Sequence, residues 1–369
     1  MHRIFHSIGH AVWMTCNLLA VGLLLTADLA MLIPPTKLQL PSLLALGFEV
    51  FVFLNLFFAF SWLFSQRKTW SLISILALLV SFYPLKSTFS HMLGKGETAE
   101  SLLEARHSLR VLTYNTHLLQ NNTPVEQNDL LRYIRESGVD VVCMQEYAVY
   151  KDKHYPTFER VKKNLADVYP YTYFDFSVHN QRLQYGLAVY SKYPLIHKTT
   201  IPIQATGNGA NYCDVVVASD TFRLFNNHLQ SNSLRPSEID SLLTMPSSQS
   251  SRHSKQLSTL NTKLSTNLIQ RTTQARKVRE AIDASPHPVI VCGDFNDVPV
   301  SYTYRHLSRG LNDAFLATSF LSTGHTYVKR GLGVRIDYIL HSDKLNALDF
   351  RIDHVPYSDH YPASATLIW

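Results

Sequence analysis

The sequence predicts an α/β body joined to an apolar helical region at its N-terminal end. Three observations lead there. Residues 1–90 hold five basic and two acidic residues, whereas 91–369 hold twenty-nine and twenty-six. Three nearly uncharged stretches fill that N-terminal quarter. The remainder repeats short apolar runs that end in polar or charged residues, interleaved with helical spacing. The chain is 46% hydrophobic and only 17% charged, against about a quarter charged in ordinary domains. That excludes a disordered protein and a solvated coiled coil.

The apolar stretches are long enough to cross a bilayer. Between His10 and Lys37 the only charge is Asp28, between Lys37 and Arg67 the only charge is Glu49, and 69–85 carries none. Crossing the hydrocarbon takes roughly 20 apolar residues, about 17 at the least, so spans are expected near 11–33, 42–65 and 69–85. The first run exceeds the apolar region of a cleaved signal peptide, about 7–15 residues. Basic residues mark cytoplasmic ends. Arg3 precedes the first span, Lys37 alone follows it, and Arg67 and Lys68 follow the second. Three crossings then leave everything after Lys86 outside the cytoplasm. Asp28 and Glu49 are costly inside a bilayer; they are expected to snorkel to its outer boundary or to share a polar contact. The chain thus divides into an anchor (1–86), a polar, glycine-containing linker (87–107) and a body (108–369).

In the body, 109–117 reads as a strand ending in polar groups. Residues 125–137 read as a helix with Leu130, Leu131 and Ile134 on one face. The run 139–147 is a buried strand ending in Gln-Glu, 186–195 a strand stopped by a turn, and 214–231 a hairpin with Asn-His at its far end. A buried strand at 287–297 ends in Gly-Asp-Phe-Asn, 334–342 is a strand containing an acid, and 357–369 is a loop entering a last strand. Different polar residues at successive strand ends predict a site assembled from many strands. Cys16, Cys143, Cys213 and Cys292 have no zinc or CxxC spacing, and no disulfide framework is expected. The body's net charge of +3 is small for a nucleic-acid surface. One segment stands apart: Ser241 to Arg279 holds seven bases and no acid. After a serine-rich start it reads, from about Ser254, as a long amphipathic helix with a basic outer face. That face is either solvated or a contact for anionic headgroups or an anionic substrate.

Taken singly, the polar strand ends say little, since Gly, Asp and Asn all favour turns. Glu146 is more telling, because a buried unpaired charge is expensive and calls for a cation or a strong donor. Asp359 and His360 fit two places of a hydrolase triad, but no serine stands in a G-x-S-x-G elbow. Taken together the residues are coherent. Asn115, Glu146, Asp294, Asn296 and Asp359 offer hard oxygen ligands suited to Mg²⁺, Mn²⁺ or Ca²⁺. His228 and His360 can donate to a phosphoryl oxygen, and Asp337 can orient one of them. This is equipment for phosphoester hydrolysis.

These residues lie in six motifs that, in order, resemble those of the endonuclease/exonuclease/phosphatase superfamily, the pancreatic-deoxyribonuclease-like fold, over about residues 109–369. LTYNTH carries Asn115, MQEY carries Glu146, NNHLQS carries His228, GDFND carries Asp294 and Asn296, RIDYIL carries Asp337, and SDHYP carries Asp359 and His360. The resemblance implies a four-layer α/β sandwich, two packed β-sheets flanked by helices. It implies one or two Mg²⁺ or Mn²⁺ ions with Glu146, Asn115 and Asp359 as metal ligands. It also implies Asp294 with Asn296 at the attacking water, and His228 with the Asp337-paired His360 at the phosphate. Two departures stand out. Thr116-His117 follow Asn115 where a small residue or glycine is usual. Gln184 stands where nuclease members often place a tyrosine, with Tyr185 beside it, so no tyrosine contact to substrate is expected.

The expected protein is a multi-pass, membrane-anchored phosphoesterase of bacterial inner-membrane type, with its catalytic body extracytoplasmic. Its expected partners are the lipid bilayer and an anionic phosphoester; no protein partner is predicted. A nuclease acting on DNA or RNA with the same site is the alternative. A degenerate scaffold is the third reading, against which the full set of acids and histidines argues.

Overall fold

The computed structural model describes residues 2–90, 107–120, 123–204, 207–232, 250–329 and 331–369. Most of the expected linker and the serine-rich start of the basic segment lie outside the described residues. Contacts divide the chain into two units: Met1–Thr88 with Val298–Arg305, and Phe89–Asp297 with His306–Trp369.

The first unit is helical. Among the described residues one helical stretch, Gly9–Met31, is long and apolar enough to cross a membrane, at 23 residues. The segment expected near 42–65 is divided into Leu40–Ala45 and the 16-residue Phe48–Leu63. The segment expected near 69–85 bends by 62° between Lys68–Val80 and Phe82–Thr88; counted as one broken span it makes a second crossing. The bend has a local cause. Pro84 has no N–H to return to the Val80 carbonyl, which breaks the helical ladder at that turn. Side chains tie the helices together: Asn17 Nδ2 donates to Ser74 Oγ (2.6 Å), Trp62 Nε1 to Asn17 Oδ1 (2.9 Å) and Ser81 Oγ to Asp28 Oδ2 (2.6 Å). Asp28 therefore has the polar contact expected of it. The outward surface is apolar, with Leu19, Phe60, Leu76 and Leu79 all more than half exposed.

The second unit is built on strands β1 (Ser108–Asn115), β2 (Val141–Tyr150), β3 (Tyr171–His179), β4 (Leu183–Ser191) and β5 (Leu195–Thr200). There follow β6 (Gly209–Val217), β7 (Asp220–His228), β8 (Val289–Asp294), β9 (Asn312–Asp313) and β10 (Tyr327–Lys329). The last are β11 (Leu332–Val334), β12 (Asp337–His341), β13 (Asn346–Ile352) and β14 (Ala363–Ile368). One sheet runs β13-β14-β1-β2-β4-β3 and the other β5-β6-β7-β8-β12-β9, while β10 and β11 form a separate hairpin. β1 with β2 and β7 with β8 are parallel; their neighbours are antiparallel.

Side-chain alternation explains the layers. Leu109, Val111, Val141, Cys143 and Val189 point inward from the first sheet and meet Cys213, Leu224, Ile290, Cys292 and Ile339 from the second in one core. The opposite face of the first sheet, through Leu112, Val142 and Met144, packs on Leu130, Leu131 and Ile134 of helix Asp129–Glu136 and on Val161 and Leu165 of helix Phe158–Leu165. These strands are covered on both faces, so they read as continuous apolar runs. The architecture is the predicted sandwich of two packed mixed sheets flanked by helices.

Helix Ser250–Asp283 begins four residues before the expected start. Its basic residues do not all face outward. Arg271 is fully buried and Arg279 nearly so. Arg271 Nε donates to Gln230 O (2.7 Å) and its Nη1 lies 3.3 Å from Asp297 Oδ2, while Arg279 Nε donates to Asp283 Oδ1 (3.0 Å). These two guanidiniums fasten the helix to the loop after β7 and to its own last turn. The charge run conceals this, because apolar periodicity alone cannot tell a fastening arginine from a solvated one. Lys255 and Arg276 are exposed.

Candidate active site

The site gathers where strands of both sheets end. Asn115 closes β1, and Glu146 lies within β2 beside Gln145, the register partner of Asn115. Pairing of β2 with β4 slips between Met144 and Tyr147, and Glu146 there adopts φ +50°. A bulge of this kind re-aims one side chain. On the second sheet, His228 and Asp337 stand in register on either side of Asp294. Gly293 makes that approach available: its φ is +135°, and a Cβ would fall 2.0 Å from Asn227 O.

Between the two sheets the apolar core gives way to amides. Gln145 Nε2 donates to Asn226 Oδ1 (2.7 Å) and Thr113 Oγ1 (3.1 Å), and Asn226 Nδ2 donates to Met144 O (3.2 Å) and Ala188 O (3.1 Å). This buried lattice holds β2 and β7 together directly beneath Glu146.

The predicted residues converge. Asn115 Nδ2 donates to Asp294 Oδ2 (3.0 Å) and Glu146 Oε1 (3.4 Å), while its Oδ1 accepts from the His117 N–H (3.2 Å). Its amide therefore clamps the two carboxylates. Asn296, with φ +53°, donates from its N–H to Asp294 Oδ1 (2.7 Å) and from Nδ2 to Asp294 Oδ2 (3.1 Å) and Leu229 O (2.9 Å). His360 Nδ1 lies 2.9 Å from Asp337 Oδ2, and its Nε2 lies 3.7 Å from Asp294 Oδ2. His228 Nε2 lies 3.7 Å from Glu146 Oε1 and 3.9 Å from Asp294 Oδ2. Asp359, more exposed, reaches the group through His117, whose Nδ1 is 3.4 Å from Asp359 Oδ1 and 3.6 Å from Glu146 Oε2.

The electrostatics follow from burial and crowding. Burial, then the charge of Asp337, raises Asp294 to about 7. Burial opposes a charged His360, but the carboxylates of Asp337 and Asp294 outweigh it and lift the imidazole to about 10. Burial alone would raise Glu146; the hydrogen bond of His117 and the charge of His228 bring it down to about 2. His228 is lowered by burial and is neutral near pH 7. Among the described residues, the buried atoms without a hydrogen-bond partner include two of this group, His228 Nε2 and Asp337 Oδ1. Asp294, Asp337 and His360 each offer a ligand atom within 4.8 Å of the others. Oxygen-rich donors, a depressed carboxylate and orphaned polar atoms suit a divalent cation with an anionic ligand.

Two neighbours escaped the sequence reading. Tyr185, not Gln184, turns toward the site: burial raises its hydroxyl pKa, and the charges of Glu146 and Asp294 raise it further. Gln184 instead pairs with His179 (3.0 Å). Strand parity could have found this, because Val189 is an inward residue and every second position back from it reaches Tyr185. His117 lies beyond the last residue of β1, in a left-handed turn that no strand period reaches.

A family model described as Endonuclease/Exonuclease/phosphatase family matches residues 112–360. A second, described as a domain of unknown function, matches residues 10–88. No curated protein matches the chain. Among solved structures, an endonuclease/exonuclease/phosphatase from Beutenbergia cavernae DSM 12333 is similar at TM-score 0.52 and 18% identity, over 71% of this chain and 72% of that one. The human Nocturnin catalytic domain gives TM-score 0.47 and 18% identity over 71% and 94%. Sphingomyelinase C from Streptomyces griseocarneus gives TM-score 0.46 and 19% identity over 70% and 99%.

Proposed function

The chain belongs to the endonuclease/exonuclease/phosphatase family, and we propose that it is a membrane-anchored, divalent-metal-dependent phosphoesterase that directs water in line at phosphorus. One observation carries this reading: the carboxylates of Glu146 and Asp294 and the imidazoles of His228 and His360 meet around Asn115 at the ends of both sheets.

Glu146, with Asn115 and Asp359 beside it, would hold the ion, which when bound supplies positive charge to a nonbridging phosphate oxygen. Asp294, raised to about 7, is matched to take a proton from water near neutral pH. Asn296 and Asn115 fix its two oxygens. His360, held cationic by Asp337, and neutral His228, whose Nε2 is unspent, donate to the phosphoryl oxygens as charge gathers there.

The anchor reading rests on Gly9–Met31 and on the apolar outer surface of the first unit. An extracytoplasmic body needs three crossings, so besides the bent pair the 16-residue Phe48–Leu63, just under the roughly 17 residues of a span, would have to cross; Arg3, Arg67 and Lys68 would then mark the cytoplasmic ends.

The test is hydrolysis of a phospholipid, a phosphomonoester and a DNA substrate by wild type and Glu146→Gln. Wild type should act on at least one in Mg²⁺ or Mn²⁺, and Glu146→Gln should lose most of that rate and recover part of it in excess ion. Cleavage of DNA alone would select the nuclease reading, and full turnover in chelator would defeat the metal reading.

A further inference from the structure

His117 has no part in the mechanism above, yet it occupies the mouth of the site between two of its acids. Its Nδ1 lies 3.6 Å from Glu146 Oε2 and 3.4 Å from Asp359 Oδ1. Two ligand atoms of one transition ion, each about 2.1 Å from the metal, lie at most about 4.2 Å apart. Both separations are short enough for the nitrogen and a carboxylate oxygen to share an ion.

The backbone that carries His117 is strained. His117, Leu118, Leu119 and Gln120 have φ of 40°, 67°, 54° and 48°. Four successive non-glycine residues are left-handed, at roughly 1–2 kcal/mol each, and no Gly, Asn or Asp relieves the turn. Such strain persists where surroundings over-determine it, and it clusters at ligand clamps. Here Leu119 is fully buried, its carbonyl accepts from Asn128 Nδ2 (2.8 Å) and its N–H donates to Thr116 O (3.0 Å). The turn brings the chain back over the end of β1, so that the imidazole meets Glu146. A salt bridge alone is a poor return for that strain: the His117 side chain is 58% exposed, and exposed ion pairs contribute little.

We propose that His117 Nδ1 is a ligand of the divalent ion held by Glu146, and that this nitrogen makes the site prefer transition ions such as Mn²⁺ over Mg²⁺. An imidazole nitrogen favours first-row transition ions, least strongly Mn²⁺ at the start of the series, whereas Mg²⁺ keeps to oxygens and water. The proposal rests on the metal reading of the site and adds to it a ligand and a preference.

The test uses the full chain in detergent, with Mn²⁺ followed by electron paramagnetic resonance and Mg²⁺ by calorimetry. Wild-type Mn²⁺ should show pulsed-resonance coupling to an imidazole ¹⁴N. His117→Gly suits a φ of +40° and should melt no lower than wild type. It should lose the coupling and at least the roughly tenfold in Mn²⁺ affinity that losing an outer-shell partner already costs, while Mg²⁺ affinity changes little. His117→Asp should lose the coupling and shift preference towards Mg²⁺. Coupling retained in His117→Gly, or an unchanged Mn²⁺/Mg²⁺ ratio, would reduce His117 to a salt bridge and overturn the proposal while leaving the metal reading intact. Wild type that binds neither ion, and equals Glu146→Gln in this, would overturn both.

Discussion

Asp337 accepts a hydrogen bond from His360 Nδ1 at 2.9 Å while its backbone stands in register with Asp294, whose Oδ2 lies 3.7 Å from His360 Nε2. One imidazole is thus held between two buried acids on adjacent strands. If Asp337 acts by holding His360 cationic and aimed, the two are a unit, and groups that act as a unit lose function non-additively. In the cycle of Asp337→Asn, His360→Ala and the double variant, each single change should lower kcat nearly as far as the double. Multiplying losses would mean separate roles.

The pH dependence of the ion-free protein has a definite sign. Burial, then Asp337, raises Asp294 to about 7, so the fold favours its protonated form. The stability of that form is complete below the ordinary carboxylate pKa and is lost as pH rises through about 7. In chelator, Asp294→Asn should therefore melt higher than wild type at pH 8, and the gap should shrink as pH falls to 5. Calorimetry at the two pH values decides it; a constant gap would mean that Asp294 is not raised.

Topology is open to a direct measurement. A reporter active only outside the cytoplasm, fused after Trp369, should be active if three crossings precede the body. An inactive fusion, with a cytoplasmic reporter active in its place, would reduce the bent pair or Phe48–Leu63 to a surface element.

The basic helix yields a narrower expectation than its charge run suggested, since Arg271 and Arg279 are fasteners. If the rest meets an anionic surface, Lys255→Glu with Lys263→Glu should raise KM for an anionic lipid substrate at low salt. Screening should erase the effect at high salt, and kcat on a small soluble phosphoester should not change. A KM flat across salt would make this a solvated face.

Much of the fold was legible because the central strands are covered on both sides, and covered strands read as unbroken apolar runs. β3 and β13 were not legible. YTYFDFSVH is mostly half-buried, and NALDFRI buries only Ala347 fully among exposed and half-buried positions, so neither shows a clean period. The site residues were readable as strand-end polar groups, but their partners were not. That Asn115 clamps Asp294 across the sandwich depends on how the sheets pack, and no spacing along the chain records it. Tyr185 was within reach of strand parity, since β4 is extended from Leu183 to Ser191, whereas His117 is aimed by a left-handed turn that no period reveals.

The left-handed backbone at Glu146, Asn296 and His117 bears on how this protein can be improved. At each of the three, glycine would relax the chain and remove a side chain from the site. A selection for heat resistance alone would therefore be drawn to these positions and would return sturdier proteins stripped of a side chain from the site. Gains in robustness have to be sought elsewhere, and a stabilised variant carrying glycine at any of the three should be assayed before it is kept.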